Sequence, residues 1–403
     1  MNGKTMRLVE DNISLEDLCR ELCGQEYITI DTEFVREKTY FPKLCLIQVA
    51  FKDGAAIVDP LSKGLDLAPF FDVLTNSNVL KVFHAGKQDI EIFYQLSKKI
   101  PTPVFDTQIA ASVCGFGRCV SYDNLVESIT KTELDKSSRL TDWSVRPLEE
   151  KQLQYALRDV TFLIPCYEFL KDYLQKHNRT SWIIEETEEL LDERCYQIDP
   201  ENAWQKIKHS AHSGLFLAAL KELAAWRERR AMRYNVPKRT IAKDELLVAL
   251  ASSLPKNLAE LKLVRNIRSD FVKGKFAAEI LEVLDRAKKM PMTGELKKID
   301  REKKVHCPPS ASALVEVLKL LLKIKCEQNG VVENVVASEQ EIRDLACGND
   351  KDNLILKGWR YELFGKDALA FRKGLATLSY DTTQKKIVVS VSKKNTRVSN
   401  SEA

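Results

Sequence analysis

No apolar stretch of the 403-residue sequence approaches the roughly 20 residues that a membrane-spanning helix needs. The N-terminal run MNGKTMRLVEDNISLEDLCREL has no apolar core of the kind a signal peptide carries. Its acids do not suit a transit peptide either, so a cytoplasmic protein with no membrane partner is expected. Zinc-type spacing is missing too. The 10 cysteines (19, 23, 45, 114, 119, 166, 195, 307, 326 and 347) form no Cys-x-x-Cys pair, and no histidine stands at finger spacing from them. Free, mostly buried thiols in a reducing compartment are expected. No clean internal repeat is visible, although two back-half blocks of similar size and composition hint at a tandem pair.

The net charge of +4 hides an asymmetry. Residues 1–202 carry 23 basic and 34 acidic side chains, residues 203–300 carry 21 and 11, and residues 301–403 carry 18 and 13. Solvated faces are one explanation. The sharper one is a basic back half that attracts a polyanion, joined to a front half whose acids serve another purpose.

The front part alternates strand and helix patterns. YITID (27–31), LCLIQVAF (44–51), AAIVD (55–59) and VLKVFHA (79–85) read as strands, the first three as an antiparallel meander. Helical patterns follow over about 65–75, 87–98, 106–114, 122–129 and 149–175. This order fits a mixed sheet with helices packed on it. From about 200 onward the β signal nearly disappears, and 201–235 and 242–290 read as amphipathic helices broken at Pro237, Pro255 and Asn257. Residues 291–310 read as a linker, and a second helical block spans 311–378. The tail 379–403 reads as partly disordered, with IVVSV as a possible short strand.

Three motifs carry chemistry. Asp31-Thr32-Glu33 ends an apolar strand, so the two carboxylates share a face and repel unless a hard cation lies between them. In His84-Ala85-Gly86-Lys87-Gln88-Asp89, a strand leads through a small-residue turn to an acid in the first turn of a helix. Tyr155 and Asp159 are four residues apart on one helix face. Each motif alone has a commonplace explanation: a solvated strand end, an acid at a helix N-terminus, a boundary pair with a bonded phenol. Together, in one domain-sized segment, they say more.

The three motifs resemble those of the DEDD exonuclease superfamily, tyrosine subtype. The longer strings DTEFVREKTYFPKLCLIQVA, HAGKQDIEIF, FDTQIAA and LDKSSRLTDWSVRPLEEKQLQYALRDV resemble ribonuclease D in particular. The resemblance is close over about 25–290 and looser to about 375. It implies a multidomain chain: an α/β RNase H-like exonuclease domain over 1–200, a first all-α HRDC domain over 205–290, and a more divergent HRDC-like domain over 311–378.

It implies a 3′–5′ exoribonuclease that releases nucleoside 5′-monophosphates, with transfer RNA precursors as expected substrates and a monomer as the expected state. Asp31, Glu33, Asp89 and Asp159 would hold two divalent cations, Mg²⁺ or Mn²⁺ rather than Zn²⁺. Asp31 would bridge both ions and Asp89 would act on the second. Tyr155 would orient the attacking water, since a phenol with a pKa near 10 is a poor base at neutral pH.

Thr32, His84, Lys136, Arg139 and Trp143 are candidate substrate contacts. His84 could instead make a structural hydrogen bond, Trp143 could simply pack, and Asp106 suits a helix cap. Arg227, Arg229, Arg230, Arg233, Lys238 and Arg239 could track an RNA backbone or form a solvated basic face. Two other readings are an exosome-type or DNA-directed member of the superfamily and a non-catalytic RNA-binding scaffold. The presence of all four acids and the tyrosine speaks against the scaffold.

Overall fold

A computed structural model describes residues 6–135, 141–210, 213–267, 271–272, 274–289 and 311–391. Six strands, β1 (Met6–Val9), β2 (Tyr27–Val35), β3 (Lys43–Phe51), β4 (Gly54–Val58), β5 (Leu80–Phe83) and β6 (Val104–Asp106), form one sheet in the order β1-β4-β3-β2-β5-β6. The expected meander is there: β2, β3 and β4 pair antiparallel. β1 adds parallel to β4, while β5 and β6 add parallel beyond β2. The described residues of the front half form eight α-helices: α1 (Asn12–Leu22), α2 (Ala68–Thr75), α3 (Lys87–Ser97), α4 (Thr107–Ala111), α5 (Tyr122–Thr130), α6 (Glu150–Thr161), α7 (Leu163–Lys176) and α8 (Thr180–Leu191).

Strand alternation sorts the two faces of the sheet. Ile28, Ile30, Ile47, Val49, Ala56 and Val58 pack with residues of α1, α2 and α3. Leu46, Ala50, Ala55 and Ile57 pack on the other face with Leu153, Ala156 and Val160 of α6. Thr29 shares that second face and donates to the backbone oxygen of Val160 at 2.8 Å. The acids of β2 therefore emerge beneath α6.

The sequence pattern expects one helix over 149–175. The chain instead breaks at Phe162, whose N–H closes α6 on Arg158, and restarts with Pro165 in the first turn of α7. A proline has no N–H for a continuing helix but suits a first turn. β1 and β6, at 4 and 3 residues, are too short for a periodic signal. Helix α8 was not anticipated from the pattern.

The described residues between 214 and 289 form a helical unit around an apolar core of Leu217, Leu220, Leu247, Leu250, Ile280 and Leu284, which Tyr40, Trp204 and Ile207 join from outside it. Its long helix Gly214–Tyr234 meets the sheet domain where Asn235 accepts from the backbone N–H groups of Tyr40 and Phe41, both at 3.1 Å. The Tyr40 hydroxyl also donates to Glu228. The second helical block, opening with the helix Ala311–Asn329, shares one continuous core with the sheet domain: Leu318, Leu321 and Phe364 cluster with Ala110, Val113, Leu170 and Ile183. Trp182 and Trp359 stack there at 4.4 Å between centroids, and Trp359 Nε1 donates to Glu186 at 2.8 Å. IVVSV does form a strand, Lys386–Val391, paired antiparallel with Ala376–Asp381. The linker 291–310 and residues 392–403 lie outside the described residues. Among the described residues eight cysteines are free, five of them buried. The expectation of free thiols fails at Cys347, which is disulfide-bonded.

The approach to α6 is fixed by one ion pair. Arg146 binds both oxygens of the buried Asp59 and donates from Nη2 to the Cys45 carbonyl at 2.7 Å and from Nη1 to the Trp143 carbonyl at 2.8 Å. Replacing it strands a buried carboxylate. Arg146→Ala is expected to destabilise the chain by about 2–4 kcal/mol, read as a lower urea midpoint at unchanged slope; a midpoint within error of the parent would refute the clamp.

Candidate metal centre

Asp31 and Glu33 lie on β2, and Asp159 lies on α6 above them. Each offers a carboxylate oxygen, and these oxygens all lie within 4.8 Å of one another. The α6 placement follows from its sequence. A capping box between Glu149 and Gln152 starts the helix, and Leu153, Ala156 and Val160 form the buried stripe that seats it on the sheet. Tyr155 and Asp159 flank that stripe, both half-buried.

Asp89 is buried at the start of α3 and accepts a hydrogen bond from the Thr32 hydroxyl. Its position depends on the turn before it. Asp106 accepts from four backbone N–H groups, those of Ala85 (3.1 Å), Gly86 (2.8 Å), Gln108 (2.8 Å) and Ile109 (3.2 Å). It caps α4 and also ties the His84–Gly86 turn to it, more than the capping role expected from sequence. Gly86 is required sterically: a Cβ there would come within 2.5 Å of the Phe83 Cβ.

The electrostatics are those of crowded like charges. Burial first, then the charges of Asp89, Asp159 and Glu33, push the Asp31 carboxyl well above the usual carboxylate range; the Thr32 N–H opposes them. Burial pushes Asp89 up to about 6 against the Thr32 hydrogen bond. Burial, then the charges of Asp159, Glu33 and Asp31, hold the Tyr155 phenol well above its ordinary value, with an Asp159 hydrogen bond adding to the effect.

The other candidates are distributed as follows. Thr32 is buried and faces Asp89, not open solvent. His84 binds Thr107 Oγ1 at 2.9 Å and the Val120 carbonyl at 3.2 Å, and burial lowers its pKa, favouring the neutral ring. Trp143 is buried against Leu153 and Ala156, with its ring 6.1 Å from that of Tyr155. Lys136 and Arg139 lie outside the described residues. The basic run on the first helical unit is largely engaged within that region: Arg227 with Asp244, Arg229 with Glu201, Arg230 with Glu279, and Lys238 with Glu228.

Sequence reasoning passed over Tyr122. Its hydroxyl donates to the Arg158 carbonyl at 2.9 Å, its ring meets His84 edge to face, and the charges of Asp159 and Asp31 reach it. A tyrosine opening a helix carries no sequence signal of its own.

An all-carboxylate donor set without sulfur or imidazole suits a hard, oxygen-seeking divalent cation, and the mutual repulsion of these acids is relieved by one. The sheet order, the helix across it and the acid cluster define a nuclease domain of the metal-dependent 3′–5′ exonuclease class. Residues 6–175 match the family model for a 3′–5′ exonuclease, and residues 216–284 match the HRDC domain. The sequence is 42% identical over 373 residues to a ribonuclease D of Bartonella henselae, covering 92% of this chain and 91% of that one. It is 43% identical over 376 residues to the ribonuclease D of a Jannaschia species, covering 92% and 96%. Among solved structures, Escherichia coli RNase D, described as an exoribonuclease involved in structured RNA processing, superposes with a TM-score of 0.77 at 27% identity, covering 92% of this chain and 99% of that one. The catalytic core of RRP6 from Trypanosoma brucei shares the fold at 22% identity, with a TM-score of 0.54 and coverage of 71% and 80%. The chain belongs to the ribonuclease D family.

The raised carboxylates set a pH dependence. Without metal, Asp89 holds its proton to about pH 6 when folded, against 3.8 in the ordinary carboxyl. Its contribution to stability is therefore full below the ordinary value and is lost as pH rises through 6. Cation binding needs the ionised acids, so it gains over the same interval. Saturating Mn²⁺ is expected to raise Tm by on the order of 5 °C at pH 7.5 and by much less at pH 5. Equal shifts at both pH values in differential scanning calorimetry would contradict this account.

Proposed function

We propose that the chain removes nucleotides singly from the 3′ end of RNA, releasing nucleoside 5′-monophosphates, and that it acts in the 3′ maturation of transfer RNA precursors. The observation that carries the reading is the convergence of Asp31, Glu33 and Asp159 within 4.8 Å, with Asp89 and Tyr155 beside them, in a chain of this family. Asp31, Glu33, Asp89 and Asp159 would hold two cations, Mg²⁺ or Mn²⁺. When bound, these ions acidify the attacking water and neutralise charge on the leaving 3′ oxygen.

The protein's own groups do the rest. Tyr155, kept protonated and bonded to Asp159, orients the attacking water and does not deprotonate it. Thr32 fixes the rotamer of Asp89 through its hydroxyl. His84, neutral and edge-on to Tyr122, walls the place for the terminal nucleotide. Lys206 and Arg239 line a cavity between α3 and the first helical unit and offer charge to the upstream phosphates, beside Arg36, Lys87, Arg194 and Lys238, which are paired with Glu91, Glu189, Asp192 and Glu228. Residues 1–200 would be the catalytic domain, 205–290 and 311–378 two HRDC-type units that guide structured RNA, and the protein a cytoplasmic monomer.

The test is a 5′-labelled single-stranded RNA with a free 3′ hydroxyl, beside the matching DNA. Mn²⁺ or Mg²⁺ should give a ladder of single-nucleotide steps on RNA, and chelation or Asp159→Ala should abolish it. Tyr155→Phe should lower kcat by about 10²-fold. Intact RNA, internal cuts, or a preference for DNA would overturn the assignment.

A further inference from the structure

Gln48 sits in the middle of β3, where every residue but Lys43 is buried. Its side chain is fully buried, and neither Nε2 nor Oε1 has a hydrogen-bond partner among the described residues. A buried amide left without a partner costs about 1–3 kcal/mol, and the apolar core around it has no use for one. Its flanking neighbours on the same face, Leu46 and Ala50, are apolar and pack against α6.

The ladder shows what the amide stands beside. Gln48 pairs directly with Asp31 of β2 on one side and with Ile57 of β4 on the other. Opposed residues of an antiparallel pair put their Cβ atoms about 4.5–5.5 Å apart on the same face. Gln48 and Asp31 thus leave the sheet side by side beneath α6. Ile57 offers nothing to an amide. A carboxylate offers acceptors only, and the amide nitrogen brings two donors. The terminal amide torsion is soft, so aiming Nε2 at Asp31 costs little.

We propose that Gln48 is a positioning residue for the metal centre: its Nε2, unbonded in this structure, turns to donate to the neighbouring Asp31 carboxylate when cations occupy the site and fixes that carboxylate facing Glu33 and Asp159. The inference rests on the reading of those acids as cation ligands and adds a residue outside the acids and the tyrosine. Groups that orient a ligand from behind commonly change metal affinity by about 10–100-fold when lost. Gln48 does not touch substrate, so its loss leaves RNA binding alone.

Gln48→Met keeps the length of the side chain without its donors, and Gln48→Leu matches the surrounding core. Both are measured in the full chain, together with wild type, by calorimetric titration with Mn²⁺ alone, by thermal melting in chelator, and by kcat and KM on RNA across a Mn²⁺ series. The inference expects a Tm in chelator equal to or above wild type and Mn²⁺ binding at least about 10-fold weaker. It also expects kcat reduced at limiting Mn²⁺ but recovered at high Mn²⁺, with KM for RNA unchanged. Unchanged Mn²⁺ affinity in both variants, beside a wild type that binds normally, overturns it. A collapse of Tm in both variants also overturns it, because the amide would then be holding the core. If wild type itself binds no Mn²⁺, the assignment of the acids as ligands is what has failed.

Discussion

Carboxylate oxygens of Asp31, Glu33 and Asp159 held within 4.8 Å of one another must be kept together against their own repulsion. Two acids at alternate positions of a strand cannot separate without breaking the strand. The third is carried on a helix that cannot lift without exposing Leu153, Ala156 and Val160. The repulsion is thus opposed by backbone pairing on one side and apolar burial on the other. What remains of it adds to burial, the larger cause, in pushing the Asp31 carboxyl upward. A site loaded in this way suits a divalent, oxygen-seeking cation.

The supporting contacts can be read as a chain of anchors. Arg146 pins the segment before α6 to Asp59 at the foot of β4. Asp106 ties two strand-to-helix turns together, so that Asp89 stands at the helix start with Thr32 against it. The acids are thus fixed by groups outside the acid cluster itself. Such anchoring holds a site to the tolerance its chemistry demands better than the site residues could alone.

The sequence made the central part of this legible. β2, β3 and β4 are long and strongly apolar, and α6 has a clean stripe, so the faces of Asp31, Glu33 and Asp159 followed from periodicity. The joining of the three motifs into one site came from the resemblance, since each motif alone had an ordinary explanation. Short elements escaped: β1 and β6 lack the length for a period to show, and the break at Phe162 is hidden because apolar spacing runs on through it. Long-range pairing was illegible for a different reason. Nothing local tells Arg229 and Arg230, read as a possible RNA track, that Glu201 and Glu279 will neutralise them.

The second helical block poses a packing constraint rather than a chemical one. Its core is continuous with that of the sheet domain through Leu318, Leu321 and Phe364, and Trp359 stacks on Trp182 of α8. The buried Arg179 closes the same junction, donating to the carbonyls of Val113 and Asn329. The first helical unit meets the sheet domain through hydrogen bonds at Tyr40 and Phe41 and through an apolar cluster that also takes in Tyr40, Trp204 and Ile207. Apolar interfaces resist opening more than polar ones of the same extent, because separation exposes surface that water does not solvate favourably. The two junctions therefore differ in how much of each is polar. The block after residue 311 shares the core of the body that holds the acids, while the first unit lines the cavity beside α3 and adds hydrogen bonds to its apolar contact with that body.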